Sequence, residues 1–153
     1  MLADVVRVLR EIDPSGMKRA ELEDLIAGLC QVETVAAERR LAAMVAVDGL
    51  GDGGSSSSTV IRSRAKVSQK KATRSAATAQ KLQAMPRTRK KLARGEITEE
   101  HADAAASAAE RVGDAPKADR ELQGTIRSTG AVPSSNYRYG KLCSKYTQYL
   151  VDK

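Results

Sequence analysis

The sequence predicts an all-α fold: a long helix near the start, a Gly/Ser loop, then a small bundle of short helices with a helix-turn-helix-like segment. Three observations carry this prediction. Apolar residues recur at spacings of three and four, the period of a helix with one packed face. Runs of alternating β-branched and polar residues, the mark of strands, are almost absent. Helix punctuation recurs at workable spacing, with Ser, Thr or Asp ahead of the periodic segments and Gly or Pro behind them.

The first element is read over Leu2 to Ile12, where Leu2, Val5, Val6, Leu9 and Ile12 share a face. Asp13-Pro14-Ser15-Gly16 breaks it, and Ser15 is placed to cap the next helix. That helix is long, predicted over residues 18–47. Leu22, Leu25, Ile26, Leu29, Val32 and Ala36 form its apolar stripe, and Cys30 is expected inside that packing as a small hydrophobe. The early acids Glu21, Glu23 and Asp24 suit the positive end of the helix dipole. Residues 49–58, rich in Gly and Ser, read as a loop.

A short helix is expected over 59–64, followed by a capped helix over 69–84 with Ser68 as N-cap. Pro86 ends it near Ala84, because the residue before a proline is steered away from helical geometry. A brief helix over 87–93 stops at Gly95. Thr98 caps the next, with Glu99 and Glu100 in its first turn, and that helix runs to about Val112. Beyond Gly113 the pattern weakens, and a last helix is read only over 141–151. The domain reading is therefore 1–16 as helix and turn, 17–112 as the helical domain, and 113–153 as a divergent tail, either disordered or a product of truncation. All aromatic residues are Tyr, so the core must come from Leu, Ile, Val, Met and many Ala.

Charge is segregated along the chain. Residues 60–95 hold twelve Lys or Arg and no acid, while residues 1–59 are net −4 and residues 96–121 net −5. Such a block is the electrostatic footprint of a polyanion partner. On a helix of about 100° per residue, Ala72, Ala76 and Ala79 gather on one side of 69–84, and Lys70, Arg74 and Lys81 on the other, flanked by Lys71. In a helix-turn-helix the second helix enters the major groove with its first residues nearest the bases. Those residues are Gln69, Lys70, Thr73 and Arg74, where Gln suits adenine and Arg suits guanine. Arg87, Arg89, Lys90, Lys91 and Arg94 surround a short helix and suit backbone phosphates. The apolar side of the basic helix is mostly Ala, which disfavours membrane insertion.

Segment 60–112 resembles the actinobacterial domain-of-unknown-function family 222, the 13E12-repeat family, whose members commonly precede an HNH nuclease domain. The likeness rests on Val60-Ile61-Arg62, the Val67-Ser68 helix start, Ala72, Arg74, Ala79 and Leu82, and Met85-Pro86. Its strongest part is the run Leu92 to Thr98 followed by His101-Ala102. With the long helix ending at Asp48-Gly49, it covers roughly residues 17–112. Val60 stands where the family usually has Trp, Gln69 where Pro is frequent and Lys71 where Glu is frequent. The middle segment is also similar in layout to the helix-turn-helix of ParB-type partition proteins. These likenesses imply a DNA-binding, HNH-associated module. The nuclease itself is not expected, because an HNH site needs at least two histidines and His101 is the only one.

His101 is expected to pack or cap rather than catalyse, and Glu99, Glu100 and Asp103 to serve the helix dipole rather than a metal. Tyr137, Tyr139, Tyr146 and Tyr149 alternate with Arg138, Lys141 and Lys145, a pattern that either stacks single strands or packs a terminal helix. Cys30 and Cys143 lack the spacing of a zinc or disulfide framework, and the charged first residues do not read as a secretory leader. The expectation is a reduced cytoplasmic protein without cofactor, metal, small-molecule ligand or membrane span. It acts as a non-enzymatic DNA-binding module. The alternatives are a helical interaction or dimerisation module that self-associates through helix 18–47, and a decayed nuclease fragment.

Overall fold

The computed structural model describes the backbone of residues 1–129 and the side chains of residues 1–122. Within that span the chain is helical, with no strand. The order is α1 (Leu2–Glu11), a 3-10 turn (Pro14–Gly16), α2 (Arg19–Gly49), α3 (Ser57–Ala65), α4 (Gln69–Leu82), α5 (Pro86–Ala93), α6 (Glu99–Val112) and α7 (Ala115–Thr129). The helix at 141–151, the four tyrosines and Cys143 lie outside the described residues.

The chain divides into two compact units, Met1–Glu33 and the residues from Thr34 onward. The division falls inside α2. In the first unit α1 buries none of its residues. Asp13 tightens the following turn by accepting the Ser15 N–H at 2.9 Å. Ser15 does not cap α2, contrary to expectation. Glu21 does so by reaching back to the Lys18 N–H at 2.7 Å. Cys30, expected inside, is exposed, and so are Ile26, Leu29 and Val32. Along the first half of α2 the stripe is therefore open at Ile26, Leu29 and Val32, while Leu22 and Leu25 are half-buried.

The second unit holds the core. Leu41 and Met44 of α2, Leu82 of α4, Met85, Leu92 of α5, Ile97 and Leu122 of α7 surround alanines of α4, α6 and α7. Ala102, Ala105, Ala106 and Ala109 line the buried side of α6. Alanine keeps this helix close to its neighbours, so few large side chains are needed to fill the interior. The sequence placed no helix just after Gly113, yet α7 closes the core there with Ala118 and Leu122.

The polar interior explains why α7 must be present. Pro86 opens α5, and the residue before it, Met85, offers no capping side chain. Asp119 of α7 takes over that task. Its carboxylate accepts the Arg87 N–H at 2.8 Å, the Thr88 N–H at 2.9 Å and the Thr88 hydroxyl at 2.6 Å. A buried carboxylate survives only with such a full set of donors, and the positive end of α5 supplies them. Asp48, at the end of α2, serves the start of α3 in the same way. It accepts the Ser57 N–H and hydroxyl, each at 2.7 Å. The donated Ser57 N–H, then its hydroxyl, hold the Asp48 carboxyl below its ordinary range.

Candidate nucleic-acid interface

Helices α3 and α4 are joined by a three-residue turn, Lys66 to Ser68, which sets α4 as the second helix of a helix-turn-helix-like pair. Lys66 occupies the left-handed region, with φ 52° and ψ 33°. A side chain there costs roughly 1 kcal/mol relative to ordinary backbone. Ser68 then caps α4 by accepting the Lys71 N–H at 3.3 Å. Ala72, Ser75, Thr78, Ala79 and Leu82 form the buried side of α4. That packing turns Gln69, Lys70, Lys71, Thr73 and Arg74 outward.

The outward residues fall into two sets. Helices α4 and α6 run in the same direction, and an acidic row on α6 faces the later cations of α4. Arg74 grips Asp103, with Nε to Oδ2 at 2.8 Å. Seven residues further along each helix, Lys81 meets Glu110 at 2.6 Å. Ser75 and Thr78 donate to Glu99 and Asp103 at 3.1 and 2.5 Å, completing the seam. Burial pushes the Asp103 carboxyl up, but hydrogen bonds from Arg74 and Thr78, with the charges of Arg74 and Lys81, outweigh it and hold the group below its ordinary range. Hydrogen bonding to Asp103, then its charge, raises Arg74 further above neutrality. Both of these α4 cations already have carboxylate partners.

Lys70 and Lys71 do not. Both are exposed and have no carboxylate within ion-pair distance among the described residues. Gln69 is held sideways, accepting from Arg62 at 3.0 Å and donating to Thr73 at 3.2 Å. This tie links the first turn of α4 to α3 and holds the Gln69 amide against Arg62 and Thr73. On α5 the division repeats. Arg89 binds the buried carboxylate of Glu38 at 3.0 Å, and Arg94 lies 3.6 Å from Glu96. Arg87 and Lys90 are exposed and Lys91 half-buried, with no carboxylate partner among the described residues.

Three exposed cations escaped the sequence reading of the contact face: Arg62, Arg64 and Lys66. They lie at the end of α3 and in the turn, on the approach to Lys70 and Lys71. The signal was available, because residues 62–71 hold five Lys or Arg and no acid. A contact face drawn on the second helix alone leaves them out. A cleft of about 300 Å³ opens between α4 and α6, with Lys70, Lys71 and Arg74 on one wall and Glu99, Glu100 and Asp103 on the other. Its mixed walls leave the turn as the side on which positive charge is unopposed.

His101 is buried in a reciprocal cap. The Thr98 N–H donates to His101 Nδ1 at 3.2 Å, and the His101 N–H donates to the Thr98 hydroxyl at 3.4 Å. Histidine thus fills the place that Glu or Gln takes in the usual capping box. Glu99 is engaged by Arg40 and Ser75, and Asp103 by Arg74 and Thr78. Among the described residues no group of three or more His, Cys, Asp or Glu is gathered for a metal, and no helix is long and apolar enough to cross a membrane. No family model matches the chain, and no curated protein or solved structure matches it.

Proposed function

We propose that this chain is a DNA-binding helical module that acts in the cytoplasm without catalysis of its own, a relative of the region that precedes HNH nucleases. The observation that carries the reading is the cluster at the α3–α4 turn. Arg62, Arg64, Lys66, Lys70 and Lys71 are exposed and have no carboxylate partner among the described residues. Cations already paired with acids gain little from a phosphate, because the new contact must replace the old one. Cations paired only with water and counterions release those ions on meeting a phosphate, which drives association. Arg87 and Lys90 on α5 add further phosphate contacts, and Gln69 with Thr73 offers the polar groups for a base edge.

The resemblance of 60–112 to family 222 and to ParB-type proteins supports duplex DNA over other polyanions. His101 has a structural task in its cap, consistent with a module that leaves chemistry to another domain or protein.

A fluorescence-anisotropy titration with a mixed-sequence duplex across a salt series tests the proposal. Seven phosphate contacts give a slope of log affinity against log salt of roughly −6. An absence of duplex binding even at about 50 mM salt, where such contacts are strongest, defeats the reading.

A further inference from the structure

The first unit carries a second surface, unlike the basic one. Helix α1 is amphipathic, yet none of its residues is buried. Leu2, Val5, Val6 and Leu9 share one face and are 78, 47, 47 and 37% exposed. Asp4, Arg7 and Glu11 lie on the opposite face. In the same unit, Ile26, Leu29 and Val32 of α2 are 62, 37 and 44% exposed. An amphipathic helix draws most of its stability from covering its apolar side, so this one is incomplete as it stands.

We propose that a second copy of this chain covers that face, with α1 packed antiparallel on α1 of its partner through Leu2, Val5, Val6 and Leu9. Two observations select this occupant. The order Leu–Val–Val–Leu at spacings of three, one and three reads the same in both directions. An antiparallel twofold therefore sets Leu2 beside Leu9 and Val5 beside Val6, the self-match that an isologous interface requires. The charge excludes the leading competitor. Residues 1–33 hold four basic and seven acidic groups, so an anionic lipid surface repels this unit. The charges of α1 itself lie away from the seam, where salt screens them between copies.

The proposal is independent of DNA binding and is tested without DNA. Sedimentation velocity of the full chain at about 100 μM is expected to give twice the chain mass. Val5→Asp with Leu9→Asp is expected to return it to a monomer with the unfolding transition that the wild type shows when diluted to a monomer, because α1 contributes no buried residue within one chain. A wild-type monomer at that concentration overturns the proposal, and so does a dimer that survives the double substitution. A monomer that floats with phosphatidylcholine vesicles assigns the face to lipid and also overturns it. Orientation has its own readout. In a background of Cys30→Ser and Cys143→Ser, Val6→Cys is expected to form a disulfide-linked dimer and Asp4→Cys is not. The reverse outcome contradicts the seam.

Discussion

The turn between α3 and α4 and the seam between α4 and α6 draw cations from the same acid-free run, and they end in opposite electrostatic states. At the seam, Arg74 and Lys81 meet Asp103 and Glu110, each pair seven residues beyond or before the other. At the turn, Arg62, Arg64, Lys66, Lys70 and Lys71 have no carboxylate within ion-pair distance among the described residues. The seam uses charge to set the register of two helices whose facing surfaces are largely Ala, Ser and Thr. The turn keeps charge available. The lesson is that a basic block in a sequence has two uses, and the acids of the following helix decide which residue serves which.

The comparison breaks most directly at the turn. Lys70→Glu with Lys71→Glu is expected to weaken duplex binding on the order of 100-fold at low salt. It should leave thermal stability within about 0.5 kcal/mol, since neither side chain is buried. The seam answers in the other currency. Asp103→Asn removes the charge that Arg74 and Thr78 hold, and denaturant unfolding is expected to show a loss of about 1–3 kcal/mol. The same substitution releases Arg74, so duplex affinity should rise several-fold in the anisotropy titration.

Acid sharpens the same contrast. The Asp103 carboxyl is held below its ordinary value of 3.8 in the folded chain. Its contribution is therefore present above about pH 4 and is lost as pH falls through the lower folded value. Unfolding followed from pH 6 to pH 2 should show wild type losing more stability than Asp103→Asn over the acidic end. The smallest effect is expected at Lys66. Its φ of 52° suits glycine, and Lys66→Gly should stabilise the chain by about 0.5–1 kcal/mol in thermal melts. It also removes one exposed charge, so the salt slope should shallow by about one.

Much of the fold was legible because its punctuation is local. Ser68, Thr98, Pro86, Gly95 and Gly113 each act within a turn of their own position, and the helix limits follow them. Helix α7 was not legible, because Asp119 looks like an exposed acid until the start of α5 is placed against it. The same blindness hid the seam. Nothing near Arg74 announces Asp103, which lies 29 residues away and depends on two helices running in the same direction. Exposure of Ile26 and Cys30 was also unreadable, since a periodic stripe states that a face is apolar and not whether the same chain covers it.

The measurement that bears most directly on the central claim is a matched comparison of neutral variants. Lys70→Ala with Lys71→Ala and Arg74→Ala with Lys81→Ala remove the same charge from the same helix. Titrated against one duplex over one salt series, the first pair is expected to lower the slope by about two and the second by less than about one. Equal losses of slope, or a larger loss from Arg74 and Lys81, would contradict the division between available and committed cations.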